Sequence, residues 1–595
     1  MRIMLRAAVI GLLVLQTACD DEPPISMDPV TDISYEVETG GSVDPIAADG
    51  ALKGGTFTIW GGPNPKSLNV WVDNWHLSGE VMGLLYESLV TLHSVDNKPV
   101  GQLASRWEEA PDGVTFTFHI HPDANWSDGQ PVTAEDVQFF YDTIMNKDHL
   151  TTVYRTVIGR FERPEVIDAK TVRITAKERY WKAFWDAGGF TAFPKHVWEG
   201  KDFNRINFDF PVVSGPYELL EYRRNRYVLL KRRADWWGRV LRYNQHKYNF
   251  DYIRYRFQED RTAALETFKK GDYDMYAIYT ASIWAQQTDA GALESVARNH
   301  VLRQEIFNQE PIGFQGLAIN MRQERFQDVR VRQALFYLLD REKLNEQFMF
   351  DQYFLLNSYF PDLYPGNKNP AAEMYRYNPE KAGQLLDAAG WQVGDDGWRR
   401  KDGQVFSITF ITYASDIRHM NKYVEWLKDA GIQARIEQLS KAEVTRKTDN
   451  HQFDMFWIAT GAGRLRDPEP MFYSEYADLE ATSNLSGVKD EQVDAILEQL
   501  RKEESLNRRN QLLRQMDARL TELVPYVLLW QSDKTRLLYW NRFGTPRYVL
   551  DKYNREDVAL VYWWLDAERD MQLKEAMESG AALPEAPDTV RYGGP

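Results

Sequence analysis

Apolar positions along this chain recur with two periods, and the changes of period mark its elements. Val114, Phe116, Phe118 and Ile120 alternate with polar residues, which predicts a strand entered through the Asp112-Gly113 turn. After a tight turn at Ser127-Asp128-Gly129 the period lengthens. Thr133 is a suitable N-cap, Asp136 stands at the third helical position, and Val137, Phe140, Tyr141 and Ile144 form a helical face. The same reading predicts a strand over 56–60, a helix from Gly79 to His93, a strand over 170–176 and a hairpin through YELLEYRRNRYVLLKR. A strand at 253–257, a short helix at 261–270 and a strand at 274–278 follow.

A second series begins near Gly316, with a strand over 316–321 and a helix opened by Asp328 that extends to about Leu344. Helices over 380–389 and 420–430 are stopped by Gly390 and Gly431. Strands are expected at 405–412, 433–439, 453–458 and 524–530, with one or two helices over 491–519. The residues from Gly580 read as a loose tail. Strands and helices in alternation, twice over, define an α/β protein, and 595 residues exceed what one core organises.

Composition narrows the function. A net charge of -16 opposes nucleic-acid binding, which needs a concentrated positive field. The 19 Trp, 31 Tyr and 29 Phe suit a large core or a broad recognition cavity. Cys19 is the one cysteine, which excludes an intramolecular disulfide or a multi-cysteine metal cluster. Arg2 and Arg6 precede the apolar run Ala7 to Leu15, too short to span a bilayer, which reads as a signal peptide over 1–18. Leu15-Gln16-Thr17-Ala18-Cys19 resembles a lipobox in which Cys19 is lipidated, although Gln16 departs from the usual aliphatic residue. Asp20 resembles an inner-membrane retention signal of Gram-negative lipoproteins. The expected location is the periplasmic side of the inner membrane, held by lipid alone, or else the soluble periplasm. Residues 20–52 hold nine acids and neither Lys nor Arg, so 19–53 is expected to be a disordered acidic tether.

Four separated blocks then carry a resemblance. They are YESLV with LASRWEEAPDGVTFTFHIHPDANWSDGQPVTAEDVQFF (86–90 and 103–140), SGPYELLEY with RRADWWG (214–238), LAINMRQERFQDVRVRQALFYLLDREKL (317–344) and YNPEKAGQLLDAAGW (377–391). Together they resemble the extracellular solute-binding proteins of family 5, the peptide/nickel-type receptors of ABC importers, nearest to their larger YejA-like branch. The resemblance implies a bilobed type II-like periplasmic binding protein (cluster C) with mixed sheets. Lobe one would comprise 54–315 and 525–595 with an extra subdomain around 85–210. Lobe two would be 316–524, with hinge strands near 316–321 and 525–530. It also implies a monomeric receptor, without cofactor, that traps a peptide or peptide-like ligand and delivers it to a permease heterodimer with cytoplasmic ATPases. Cargo of another kind (a nickel chelate, haem, an oligosaccharide or an opine-like compound) remains an alternative, as does a ligand-sensing or chaperone-like protein without transport.

One departure bears on the ligand. If Asp467-Pro468 matches the family's Asp-Pro, the position of its amine-binding Asp holds Arg464, which cannot bind an ammonium. Arg464 and Arg466 are therefore expected to face the cleft and accept a carboxylate or phosphate. Trp457 and Thr460 before that loop, and Asn320 and Met321 beside the hinge, are further expected contacts. His119 and His121 share a strand face but lack a third ligand nearby, so no metal site is expected. No GxSxG, HExxH or GKS/T motif is present, and no enzyme is expected.

Overall fold

The computed structural model describes residues 25–414 and 417–594. The leader and Cys19 lie outside the described residues.

Buried apolar side chains separate into two large clusters. One draws on residues from Ile46 to Ile306 and from Leu537 to Trp563, the other on Phe314 to Trp530. The first is organised by an eight-stranded mixed sheet in the order Thr589–Arg591, Val301–Phe307, Thr535–Trp540, Met275–Ala277, Thr56–Trp60, Tyr252–Arg256, Tyr227–Arg232, Tyr217–Arg223. Alternation along these strands feeds two faces. Met275, Leu302, Leu537 and Tyr539 enter the large cluster, whereas Tyr276, Val301, Leu538 and Trp540 enter a smaller one under the helices Arg261–Lys269, Ala281–Gln287 and Ala567–Ser579. The second lobe is built on a five-stranded sheet ordered Gln433–Gln438, Ser407–Thr412, Met455–Ala459, Gln315–Ile319, Tyr526–Leu528.

Inserted in the first lobe is a four-stranded antiparallel sheet, Ala104–Glu109, Thr115–Ile120, Thr171–Thr175, Glu165–Asp168, covered by the helix Ala134–Met145. Its turn and cap work as the residues require. Asp112 accepts the backbone N–H groups of Val114 and Thr115, and Gly113 takes a φ of 67°. Thr133 and Asp136 form a reciprocal capping box. Phe116, Phe118 and Ile120 point inward at 1%, 0% and 2% exposure.

The chain passes between the lobes through 308–313 and again through 532–534. The strands Gln315–Ile319 and Tyr526–Leu528 pair with each other inside the second lobe's sheet. The crossings therefore lie just beyond these strands.

Four local expectations are corrected. The helix expected over 79–93 runs only over His76–Leu85. Val90–Leu92 pairs instead with Pro99–Gly101, because a β-branched, buried segment gains more from a ladder than from a helix exposing Val90. The helix opened by Asp328 ends at Tyr337, and a second helix, Arg341–Met349, starts with Asp340 as its cap. The tail is not loose: Thr589–Arg591 adds an edge strand beside Val301–Phe307, and Gln304 donates its amide to the Pro587 carbonyl at 2.8 Å.

Nor are residues 28–53 a free tether. Tyr252 donates its hydroxyl to the Asp28 carbonyl at 2.7 Å, Asp32 pairs with Arg232, and Glu38 meets His121 Nε2 at 2.8 Å. Asp44 is 1% exposed, and burial opposes its ionisation. Lys247 at 2.8 Å, the Ser94 hydroxyl and the Ile46 backbone N–H outweigh that and hold its carboxyl below the usual range. The acids of this segment are absorbed by cations and hydroxyls of the first lobe, which the local composition does not contain.

Candidate functional site

The two lobes touch along both flanks. On one, Trp181 donates its backbone N–H to Arg501 O at 2.9 Å, and the Arg509 guanidinium lies 3.2 Å from the Trp181 ring centre. Arg179 pairs with Glu504 beside it. Elsewhere Lys441 sits over Trp75 at 3.9 Å, and Tyr353 donates its hydroxyl to Tyr279 O at 2.8 Å. The arrangement is a closed one.

Arg464 is part of that closure. From the loop after the strand Met455–Ala459 it donates Nε to Asn97 Oδ1 at 2.7 Å and Nη2 to His93 O at 2.5 Å, with Tyr553 at 4.3 Å beneath its guanidinium. No carboxylate pairs with it among the described residues, and burial lowers its pKa. It lies at the lobe boundary, and its donors are bound to the opposite lobe. Arg466 is spent inside its own lobe: Nη2 reaches both carboxylate oxygens of Asp362, at 2.8 and 2.9 Å.

Thr460 is turned to the crossing segment, donating to Phe314 O and accepting the Phe314 N–H, both at 3.1 Å. The two stretches approach so closely that a Cβ on Gly313 would lie 1.9 Å from Thr460 O. Trp457 lines a small apolar void of about 10 Å³ with Leu317, Phe410, Tyr423 and Leu529, too small for a solute. Asn320 and Met321 are not ligand contacts. Asn320 is 1% exposed and gives its amide to His451 O and Phe453 O, while Met321 packs into the second core at the end of the strand remote from the crossing. Strand direction explains the error: proximity in sequence to a hinge strand carries a residue to the far end of the sheet after five steps.

A second group of charged residues lies on the first lobe. His76 and Glu80 share one face of the helix His76–Leu85, with His76 Nδ1 2.9 Å from Glu80 Oε1. Gly79 and Gly83 stand on that same exposed face and leave it open. Glu556 and Asp557 come from a short 3-10 turn in the C-terminal segment. Tyr279, in the loop after Met275–Ala277, donates its hydroxyl to Glu556. Tyr279 keeps 39% of its surface open, yet its surroundings are deep enough that burial raises its hydroxyl well above the ordinary range.

The electrostatics of this wall are one-sided. Burial, together with the charges of Glu80, Glu556 and Asp551, pushes the Asp557 carboxyl up to about 7. The hydrogen bond to Glu80 raises the His76 imidazole to about 9 against the effect of burial. Glu310, paired with Arg555 at 2.5 Å, is likewise raised by burial. None of these residues stood out in the sequence. The available signals were a His and a Glu four apart on a helix carrying two glycines, and charged residues at 551–557 within an otherwise aromatic tail.

His119 and His121 do not form a pair: His121 meets Glu38 while His119 lies among Arg106, Glu108 and Thr171. Among the described residues no group of three or more His, Cys, Asp or Glu is arranged to hold a metal ion. Trp71, Trp236 and Trp237 are core residues, 8%, 5% and 4% exposed.

Two α/β lobes joined by two crossings and in contact along their flanks have the architecture of a solute-binding protein. The match to known sequences makes this specific: residues 98–482 fit the model of the bacterial extracellular solute-binding proteins, family 5, and the chain belongs to that family. It is a non-catalytic periplasmic binding protein of the kind that serves ABC importers, with the extra subdomain in its first lobe. The probable peptide-binding protein YejA of Agrobacterium fabrum is 26% identical over 512 residues, covering 78% of this chain and 82% of its own. Among solved structures, the oligopeptide-binding protein AppA of Bacillus subtilis in complex with a nonapeptide has a TM-score of 0.70 at 21% identity, covering 87% of this chain and 99% of its own. NikZ of Campylobacter jejuni in complex with Ni(L-His) has a TM-score of 0.67 at 21% identity, covering 84% and 98%.

Proposed function

We propose that this protein captures peptides or peptide-like compounds between its lobes and presents the closed form to an ABC permease with cytoplasmic ATPases, anchored by a lipid on Cys19. The observation that carries the reading is the pair of α/β lobes brought together by the contacts of Arg464 and Trp181, in a chain of this receptor family. Lobe closure is a population shift worth only what the ligand contributes differentially, and the flank contacts supply the closed state's own share. The relatives support a peptide-class cargo, since the similar proteins include a probable peptide-binding protein and a receptor crystallised with a nonapeptide.

The anchor would be a short one. From Cys19 to Asp28, the first residue tied to the body by its backbone carbonyl, the chain reaches at most roughly 30 Å. The receptor would therefore stay close to the bilayer carrying its permease. Palmitate labelling that vanishes in Cys19→Ser tests the anchor.

Native mass spectrometry of the protein purified from its host tests the cargo, followed by identification of any retained compound. A retained peptide supports the reading. A compact metal chelate such as the one NikZ was crystallised with would reassign the cargo within the same fold.

A further inference from the structure

We propose that an arginine-lined groove on the outer face of the first lobe binds the phosphate headgroup of an anionic phospholipid and seats the receptor on its bilayer. The inference rests on the Cys19 anchor reading above and adds a membrane contact made by the protein body.

Strand register creates the groove. Ile253 and Tyr255 of the strand Tyr252–Arg256 enter the large core, which turns Arg254 and Arg256 to the opposite face of the eight-stranded sheet. The small cluster under the helices on that face takes no residue from Tyr252–Arg256 or Tyr227–Arg232. This end of the sheet instead opens into a groove of about 430 Å³, where Arg226, Arg254 and Arg256 stand among Tyr227, Phe257 and Tyr273. Among the described residues its lining includes no Asp or Glu.

The acids nearby are already engaged. Glu221 accepts from the Tyr227 hydroxyl and from Arg223 Nε, both at 2.5 Å, and Asp272 lies 3.5 Å from Arg256 Nη1. Arg254 stands over the Tyr227 ring at 5.5 Å, and its Nη2 reaches Met27 Sδ at 2.9 Å. Its Nε is buried without an acceptor, and no carboxylate pairs with it among the described residues. Arg226, exposed at the hairpin turn, has no ion pair there either. In a chain of net charge -16 this is a local reversal of sign, and a concave surface of one sign concentrates attraction for an anion. Guanidinium forks match phosphate oxygens, and the three rings offer apolar surface to the glycerol and first methylenes.

The position of the groove selects a membrane lipid. Met27 touches Arg254, so the chain enters the folded body at the groove's rim. Cys19 stands eight residues earlier, at most roughly 30 Å of extended chain. A lipid on Cys19 therefore holds the groove within reach of the headgroup layer, where each arginine gains from the negative surface.

The test uses the chain from Asp20 onward, which keeps every described residue and both cores and needs no detergent. It is titrated calorimetrically with dihexanoylphosphatidylglycerol below its micelle-forming concentration, with dihexanoylphosphatidylcholine, and with inorganic phosphate. The expected result is affinity for the glycerol lipid about tenfold or more above that for either control, weakening as salt is added. Arg226→Gln, an exposed change, should weaken it about fivefold. Arg226→Gln with Arg256→Gln should abolish the preference at an unchanged melting temperature. Equal affinity for the two lipids would overturn the proposal, and phosphate bound as tightly as the glycerol lipid would make the groove a free-anion site. Binding seen only after Asp20→Asn, Asp21→Asn and Glu22→Gln would assign the groove to the chain's own acids, again overturning the lipid. Palmitate labelling is read separately: a labelled Cys19 with no lipid preference sinks the groove and leaves the anchor, and the reverse result sinks the anchor.

Discussion

Two walls face each other across the cleft, and they treat charge in opposite ways. On the second lobe the loop 460–467 carries two arginines, both committed: Arg464 to Asn97, His93 O and Tyr553, Arg466 to Asp362. On the first lobe Glu80 meets His76, Glu556 accepts from Tyr279 through one oxygen while the other has no donor, and burial raises Asp557. A conspicuous charge in a loop can be latch or scaffold. The charge available to a solute is the one whose neighbours have not used it. In a receptor that must close, this division is physically sensible, because a latch between lobes has to be satisfied within the protein while a recognition wall has to wait for its partner.

The contrast between the walls is probed most directly at Asp557, where removal of the charge should stabilise the receptor. A carboxyl raised from 3.8 to about 7 in the folded state costs stability as pH climbs through that interval, by up to about 4 kcal/mol at pH 8. Asp557→Asn should accordingly melt higher than the wild type at pH 8 and at the same temperature near pH 4.

Arg464→Ala should act on closure rather than recognition. It is expected to cost roughly 5- to 30-fold in affinity, about 1–2 kcal/mol, because the closed state would forgo two hydrogen bonds and a cation–π interaction with Tyr553. The loss should be the same for acetylated and free peptides, with a larger radius of gyration by small-angle scattering. A loss confined to ligands with a free carboxylate would instead make Arg464 a ligand contact. The smallest effect belongs to Arg466→Ala, where loss of the Asp362 pair should lower the melting temperature by about 2–4 °C and leave affinity within about threefold.

The elements that could be read locally were those whose instructions lie within a few residues. The Asp112-Gly113 turn, the Thr133–Asp136 box and the Asp328 cap each act through neighbours in sequence, and each forms. The mistakes share one cause. Residues 86–92 carry a helical apolar pattern but are drawn into a ladder with Pro99–Gly101, and residues 28–53 look like a charged tether but meet Arg232 and Lys247, about two hundred positions away. The site was less legible than the fold for the same reason. Arg464 and Arg466 advertise themselves in one short loop, whereas the acid wall is divided among residues near 76–80, 255, 279 and 556–557.

What the sequence determined by itself was the order of strands and helices, their division into two α/β units and the kinship to solute-binding receptors. Those follow from period, capping and turn chemistry, which act over one or two turns of chain. Only the tertiary structure decided which charges are spent and which remain. That is a balance of burial and distance among groups hundreds of residues apart, and electrostatic energy depends on separation in space, not along the backbone.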